Sequence, residues 1–257
     1  MASTKQTRNT TLSKTPKLTK SVGRNELAYQ QVVQSIEDKI MSGKWSVGDR
    51  VPAETTIAAD FGVHRSTVRE AIRVLEQNGL VGRHQGGKLL YVTAPCETSI
   101  SQKVTAAIVL HEISFLELWE SMRCFEPVLA EYAAKRIDDD QLVALRANVE
   151  KTKAAFEDKK SLVELDLEFH QIIARASRNR ALQLSRQPMS QLFYSAFLQV
   201  FSRLNAGERL VFAHERILHA LADHDAEEAR SWMDKHIVDF RRGYELANLN
   251  IEAPVGR

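Results

Sequence analysis

The chain has 257 residues, which is long for one domain and comfortable for two, because a domain takes about 100–200 residues. Hydrophobic residues make up 44% and charged residues 26%, so the composition excludes a wholly disordered or fibrous protein. No apolar run approaches the roughly 18 residues that a membrane-spanning helix needs. Residues 1–25 also lack the apolar core of a secretory signal. Cys96 and Cys124 match no disulfide framework, and we expect a cytoplasmic protein without a membrane partner.

The net charge of +2 divides unevenly along the chain. Residues 1–95 carry 14 Lys and Arg against 8 Asp and Glu, whereas the remainder carries 21 against 25. Residues 1–25 hold six of these basic residues and no acidic one, which predicts a disordered basic tail. Because the rest of the N-terminal third is balanced, bulk charge cannot show whether it binds a polyanion, and the placement of single residues must decide.

Residues 26–93 predict three short helices followed by a β-hairpin. The first helix covers the apolar positions from Tyr29 to Ile40, and the second runs from Pro52 to Gly62. In the third helix, Thr67 and Glu70 are spaced as a capping box. Two short strands follow at Leu80–Arg83 and Lys88–Val92. This order of elements predicts a winged helix-turn-helix.

The third helix and the hairpin carry the residues that we expect to contact DNA. The N-terminal end of a recognition helix enters the major groove deepest, and Arg65 and Arg69 project from one side of that end because they are four residues apart. Glycines at the hairpin tip let the backbone approach a minor groove. The alternative for any single arginine is an ion pair on a solvated helix face. The predicted contacts are Arg65, Ser66, Thr67, Arg69, Arg73, His84, Gly86, Gly87 and Lys88.

Everything after residue 101 predicts helices, so the expected fold is mainly α, with an N-terminal winged helix-turn-helix and a C-terminal all-α bundle. We expect a linker over 94–101, the bundle over 102–247 and a tail over 248–257. Pro127 should kink or break its helix, because proline lacks the backbone N–H group. The predicted helices cover 102–110, 114–135, 138–158, 161–176, 180–204, 208–222 and 226–247.

Four polar residues lie on predicted buried stripes of this bundle. Asp166 and His170 are four residues apart and share one helix face. His214 and His236 each lie 11 residues from Asp225, which puts them at the same height if a helical hairpin turns there. A buried carboxylate needs a partner, although each histidine alone is more often a hydrogen-bonded core residue. Together they suit a divalent transition metal, zinc first, with nickel or manganese as alternatives.

The N-terminal part resembles the GntR family of bacterial transcription regulators. The resemblance is carried by PAE at 52–54, FGVHRSTVREAI at 61–72 and LEQNGL at 75–80. It implies operator contacts at Arg65, Thr67 and Arg69 and a wing tip at Gly86 and Gly87. Many members have an arginine where this chain has Thr55, which we add to the predicted DNA contacts. The wing also departs from the common GxGT pattern, since this chain reads GGKL.

The C-terminal part resembles the FCD ligand-sensing domain of the FadR-like subfamily. The matching residues are DxxFH at 166–170, ASxNxxL at 176–182, and His214, Asp225, Ala229 and His236. The resemblance implies that the same Asp and three His bind a metal and that a small organic carboxylate binds beside it. Members often place an assisting arginine where this chain has Met122. We therefore expect effector contacts at its neighbour Arg123 or, in its place, at Arg175 or Arg178, and at Asn179, unless the effector is not a simple carboxylate.

The sequence predicts a homodimeric, metabolite-responsive transcription regulator, a repressor more often than an activator in this family. It would bind a pseudo-palindromic operator in double-stranded DNA, because two recognition helices on a palindrome need a two-fold axis. Two alternatives stay open. An architectural DNA-binding protein would use the helical domain only to dimerise. An all-α metallohydrolase would use the His224–Asp225 doublet, which falls at a predicted helix turn and has no general base beside it.

Overall fold

The structure, a computed structural model, describes residues 25–84 and 87–255. It separates into two compact units, and the division falls between Pro95 and Cys96. Helices dominate both units, and the strands of the described residues form one two-stranded sheet. None of the described helices is long and apolar enough to cross a membrane. The predicted fold class is confirmed.

The N-terminal unit is a winged helix-turn-helix. Its apolar residues, among them Val32, Ile36, Val68 and Leu75, form one buried cluster beneath the three helices and the hairpin. The hairpin is antiparallel, with Val81 opposite Val92. The elements are α1 (Asn25–Met41), α2 (Glu54–Phe61), α3 (Arg65–Gln77), β1 (Val81–Arg83) and β2 (Leu90–Val92).

The turn between α2 and α3 depends on Gly62. This residue has φ 63°, in the left-handed region that favours glycine, and its N–H group caps the carbonyls of Ala58 and Ala59. Helix α3 then begins at Arg65, with His64 as an N-cap that makes no side-chain capping hydrogen bond. The predicted capping box of Thr67 and Glu70 is therefore wrong, because the helix starts earlier and Thr67 is buried inside its first turn.

Over residues 96–255, the C-terminal unit contains seven helices. They are α4 (Glu97–Leu110), α5 (Phe115–Ala134), α6 (Asp139–Ala154), α7 (Lys159–Ala176), α8 (Arg180–Arg203), α9 (Gly207–Ala222) and α10 (Ala226–Leu246). Most bounds lie within one or two residues of those predicted. The largest differences are that α4 begins inside the predicted linker of 94–101 and that α6 ends four residues early.

Helix α5 is the central helix of this unit, since it packs against α7, α8, α9 and α10. We expected a kink or a break at Pro127, and the helix runs through this residue without a break. Pro127 and its neighbours Glu126 and Leu129 are all buried. Packing on several sides therefore holds the helix across the missing N–H group.

Side-chain caps fix where several of these helices begin. Ser114 and Glu117 form a capping box at α5, and Asp138 and Gln141 form one at α6. The side chains of Asp158, Asn179 and Asp225 accept hydrogen bonds from the first turns of α7, α8 and α10. Each cap contributes about 0.5–2 kcal/mol. The caps also set the register of α7 and α10, on which Asp166, His170 and His236 lie.

Residues 248–255, which we call the C-terminal strap, fold back onto the start of α5. The N–H groups of Phe115 and Leu116 donate to the carbonyls of Ala253 and Ile251, over 3.0 and 2.9 Å. The N–H group of Val255 donates to Ile113, and the Val255 side chain is buried. The described part of the predicted tail over 248–257 is thus packed, because the first N–H groups of a helix need acceptors.

Deleting the strap should destabilise the helical unit. A chain ending at Ala247 loses, among other contacts, the three backbone hydrogen bonds to residues 113–116 and the burial of Val255, which together contribute about 3–7 kcal/mol. We expect calorimetry to show a lower unfolding temperature for this unit. A chain that lacks only residues 256–257 is the control. An unchanged unfolding temperature for the longer deletion would show that the strap contributes nothing to stability.

Candidate metal centre and nucleic-acid interface

Three helices bring Asp166, His170, His214 and His236 to one point. Asp166 and His170 lie one turn apart on α7, His214 on α9 and His236 on α10. All four side chains are buried, and one ligand atom from each lies within 4.8 Å of the others. The helical hairpin turns at Asp225, which caps α10, so the two histidines face each other as their equal spacing predicts.

The distances suit a single small cation. Oδ1 of Asp166 lies 3.2 Å from Nε2 of His214, 3.7 Å from Nε2 of His236 and 3.9 Å from Nε2 of His170. Nε2 of His170 and Nε2 of His236 are 3.1 Å apart. Neighbouring ligand atoms around a tetrahedral zinc ion lie about 3.3 Å apart, given bonds of about 2.0–2.1 Å. The four residues are therefore already spaced as a ligand set.

Unpaired polar atoms at this point also indicate a cation. Both oxygens of Asp166 and both ring nitrogens of His214 are buried without a hydrogen-bond partner among the described residues. The 3.2 Å approach between the two side chains does not have hydrogen-bond geometry. Leaving such groups unpaired costs about 1–3 kcal/mol each. A divalent cation would satisfy the carboxylate and one nitrogen of His214, so the residues present fit a metal.

The pKa shifts of Asp166, His214 and His236 go in the direction that metal ligands need, whereas for His170 burial acts to lower the pKa but Glu126 outweighs it and the pKa lies above its usual value. Burial lowers the pKa of His214. Burial and the neighbouring imidazoles of His214 and His170 lower the pKa of His236 to about 3. Burial acts to raise the pKa of Asp166, but the surrounding imidazoles outweigh it and the pKa lies below its usual value. Near neutral pH the site therefore presents a carboxylate and at least two neutral imidazoles, as a transition metal requires.

Glu126 and Arg186 orient His170 from behind. Nδ1 of His170 lies 2.9 Å from Oε2 of Glu126, and Nε of Arg186 donates to the other oxygen of the same carboxylate. Burial acts to raise the pKa of Glu126, but Arg186 outweighs it and lowers the pKa to about 2. With a metal bound, the carboxylate of Glu126 would accept a hydrogen bond from a proton on Nδ1 of His170, so that Nε2 would face the metal position.

Neither Glu126 nor Arg186 was among the site residues predicted from the sequence. Glu126 lies on the buried stripe of α5 with Met122, Leu129 and Ala130, where a carboxylate needs a partner. That signal was present in the sequence. Nothing in the local pattern connects it to Arg186, which is 60 residues away.

Replacing Glu126 with Gln should weaken metal binding. The Glu126→Gln variant keeps the shape but loses the charge that fixes His170, and loss of such a partner lowers metal affinity about 10–100-fold. Competition with a chelating dye measures the affinity. Circular dichroism on the same samples separates this effect from misfolding, since the variant leaves the charge of Arg186 buried and unpaired.

Glu131→Gln is the matched control for that variant. Glu131 lies on the same helix but pairs with Lys135 and Arg230 near the surface. Its metal affinity should stay at the wild-type value. Equal affinities for all three proteins would show that Glu126 does not orient the ligand.

A small cavity adjoins the metal position. Its volume is about 20 Å³, and a cavity of about 10–15 Å³ is enough for one water molecule. Asp166 and His170 form its polar end together with Arg186 and Ser190. The rest of the lining comes from Trp119, Met122, Leu167, Phe193, Phe197, Ile237 and Phe240.

The predicted effector contacts lie elsewhere. Arg123 pairs with Asp234 over 2.8 Å in a surface groove between α5 and α10. Arg175 is exposed near the end of α7, and the side chain of Asn179 caps α8. Among the described residues, the lining of the cavity does not include these three. The arginine among the described lining residues is Arg186.

Arg65 and Arg69 extend from the start of α3 beside Glu54. Their side chains are 58% and 64% exposed, and they lie 3.7 and 2.8 Å from the same carboxylate oxygen of Glu54. Arg73 lies further along α3, 3.5 Å from Glu70, and is 70% exposed. These pairs are exposed enough to contribute little to stability. All three arginines are therefore free to exchange their carboxylate partners for phosphates or base edges.

A cationic groove of about 420 Å³ runs between the start of α2, helix α3 and the wing. Its lining includes four predicted DNA contacts, Thr55, Arg65, Arg69 and Lys88. It also includes Arg50 and Arg83, which were not predicted as DNA contacts. Nη1 of Arg83 donates to the carbonyl of Lys88 over 2.7 Å and so connects the two sides of the wing. Five basic residues against the single acid Glu54 make this surface suitable for a phosphate backbone.

The remaining predicted DNA contacts have mixed positions. Ser66, His84, Gly87 and Lys88 are exposed, and the ring of His84 packs against Tyr91 with centroids 4.5 Å apart. Thr67 is only 7% exposed, because it lies on the buried face of α3. Gly86 lies outside the described residues.

The His224–Asp225 doublet has a structural position. Nδ1 of His224 lies 2.7 Å from the carbonyl of Ala134, and His224 has φ 55° at the helix turn. The side chain of Asp225 accepts a hydrogen bond from the backbone N–H group of Glu228. The doublet therefore closes the turn between α9 and α10.

Each of the two units matches a known protein family model. Residues 28–89 match the model of bacterial regulatory proteins of the gntR family, and residues 117–239 match the FCD domain. The chain is 30% identical over 241 residues to the Uxu operon transcriptional regulator of Escherichia coli strain K12, covering 90% of this chain and 92% of that protein. It is 26% identical over 212 residues to the HTH-type transcriptional repressor NanR of Klebsiella aerogenes, covering 81% and 82%.

Among solved structures, Streptococcus agalactiae GntR shares 26% identity and a TM-score of 0.57, covering 85% of this chain and 99% of that chain. The fold and the relatives together define a DNA-binding transcription regulator and not an enzyme. The chain belongs to the GntR family of bacterial transcription regulators, in the FadR-like subfamily with an FCD domain.

Proposed function

We propose that this protein is a homodimeric, metabolite-responsive repressor that binds a divalent metal and a small organic acid in its helical unit. The winged helix-turn-helix binds a pseudo-palindromic operator, and occupation of the helical unit changes operator affinity. A relative carries the name of a repressor, which supports this direction of control.

The buried set of Asp166, His170, His214 and His236 carries the proposal. Its unpaired atoms and spacing favour one transition metal, zinc first, with nickel or manganese as alternatives. When bound, the metal supplies positive charge for an acidic ligand. The chain itself holds the ligand set rigid, since Glu126 orients His170 and the ring of Phe169 stacks on that of His214 at 3.7 Å. The adjoining cavity is where we place the effector.

For DNA, we propose contacts from the cationic groove and from exposed residues of α3 and the wing outside its lining. Arg65, Arg69 and Arg73 lie along α3, and His84, Gly87 and Lys88 lie on the wing. A pseudo-palindromic operator would be read by two such units, one from each subunit of a homodimer. Thr67 is buried, so we expect it to hold the start of α3 in place more than to contact a base.

The proposal is tested with DNA fragments that the purified protein selects from the genome of its source. We expect about one zinc per chain by elemental analysis, and at least one organic acid that changes affinity for the selected fragment. Reciprocity requires the DNA complex to bind that acid more weakly if the acid releases DNA. Metal-free protein with no response to any acid, yet with normal DNA binding, would favour an architectural role and overturn the proposal.

A further inference from the structure

We propose that the effector is a monocarboxylate with an apolar body, and not a polyhydroxylated or doubly charged acid. This inference rests on the proposed function, because it assigns a ligand class to the cavity beside the metal position. Three features support this ligand class: the lining of the cavity, the hydrogen bonds that its polar groups already make, and the charge of the site.

The lining of the cavity is aromatic and aliphatic. Six of the apolar lining residues are aromatic or flexible enough to pack on an effector beside Leu167, and five of the six are at most 8% exposed in the folded chain. Such a wall stabilises apolar groups and cannot satisfy hydroxyl groups. The six are Trp119, Met122, Phe193, Phe197, Ile237 and Phe240.

The few polar groups at the wall are already engaged. Nε1 of Trp119 donates to the carbonyl of Ile237 over 2.8 Å, and the hydroxyl of Ser190 donates to that of Gln187 over 2.9 Å. Arg186 gives Nε to Glu126 and Nη1 to Gln171. A bound metal would hold one acidic head, whereas each hydroxyl of the effector would find these polar groups engaged and would be buried unpaired.

The charge of the site also limits the effector. Asp166 and Glu126 contribute two negative charges, Arg186 contributes one positive charge, and a divalent metal adds two. The sum is one positive charge in a buried position, which a single carboxylate neutralises. A second carboxylate would be buried without a partner, and such a charge is strongly unfavourable.

The cavity must expand to admit the apolar body. Its present volume of about 20 Å³ has room for little more than a water molecule. A second cavity of about 30 Å³, lined in part by His236, shares the walls Phe197 and Phe240 with the first. The rings of these two residues stack with centroids 4.0 Å apart. Displacement of this pair would join the cavities, and the flexible side chain of Met122 can adapt to the ligand.

Calorimetric titration of the zinc-loaded protein tests the class of ligand. The probes are a series of apolar acids from isovalerate to phenylacetate, then phenylacetamide without the charge, phenylmalonate with a second carboxylate, and gluconate with hydroxyls. We expect the best apolar acid to bind at least about tenfold more tightly than each of the other three, since a site rejects groups that it leaves unpaired. Zinc-stripped protein should bind the same acid more weakly.

Tighter binding of gluconate or phenylmalonate would overturn the inference and leave the proposed function standing. If no acid of any kind bound to the zinc-loaded protein, the inference and the effector part of the proposed function would both fail. A protein that never takes up zinc would remove the metal part as well. Elemental analysis of each sample separates these outcomes.

A pair of methionine variants tests the cavity itself. Met122→Gln places an amide in the wall, whereas Met189→Gln makes the same change at a half-buried position of α8 outside the lining. We expect Met122→Gln to lower the affinity for the best apolar acid about tenfold with unchanged zinc content, and Met189→Gln to bind like the wild type. Equal binding by both variants would place the apolar body elsewhere and overturn the inference.

Discussion

His214→Ala should abolish stoichiometric metal binding. The substitution removes one of four ligands and leaves the carboxylate of Asp166 buried beside a void. We expect affinity to fall by more than about 100-fold. At a metal concentration about 100 times the dissociation constant, binding stabilises the folded wild type by about 2.7 kcal/mol. The variant should lose that metal-dependent rise in unfolding temperature, measured by calorimetry with and without a chelator.

His219→Ala is the matched control for this substitution. His219 lies on the same helix, α9, but is exposed and outside the ligand set. It should retain the metal content and the chelator-sensitive stability of the wild type. Undiminished metal content in His214→Ala, by elemental analysis after dialysis, would remove His214 from the ligand set.

Arg69→Ala should weaken operator binding without affecting the helical unit. Arg69 is 64% exposed at the start of α3, and Glu54 holds its guanidinium toward the cationic groove. A side chain that reads a base edge there contributes about 1–3 kcal/mol, so we expect affinity to fall by about 5–150-fold. Fluorescence anisotropy with a labelled operator fragment measures the change at a fixed salt concentration.

Arg146→Ala controls for the loss of one positive charge. Arg146 is exposed on α6 in the other unit, so its removal should leave operator affinity near the wild-type value. Metal content and unfolding temperature of Arg69→Ala should also stay unchanged. Operator affinity equal to that of the control would show that the assigned end of α3 does not contact DNA.

Most helices could be predicted from the sequence because their apolar residues recur at helical spacing. A stripe of apolar residues runs along α7 to Ala176, whereas its cap Asp158 falls within the helix predicted over 138–158. The ligand set followed from the same regularity. Asp166 and His170 share a face by spacing alone, and the turn at Asp225 places His214 opposite His236. Helical spacing and one turn were sufficient to group these residues, since they lie on only three helices.

Features that depend on tertiary contacts could not be predicted in this way. The partner of Glu126 lies 60 residues away on α8, and no periodic pattern connects the two helices. Tertiary packing also keeps α5 continuous through Pro127, where propensity alone predicts a break. The hydroxyl of Thr67 suggested a cap, yet the apolar face of α3 buried it. In each case the residue is buried by tertiary contacts, and these contacts outweigh the structure that its local sequence favours.

The C-terminal strap connects the end of the chain to the helix that supports the proposed metal site. Its carbonyls hold the first turn of α5, the helix on which Met122 and Glu126 lie. A purification tag or fused reporter attached directly after residue 257 would exert force on α5, the helix from which Glu126 contacts His170. Metal binding and effector binding should therefore tolerate such an addition better at the N-terminal end of the chain.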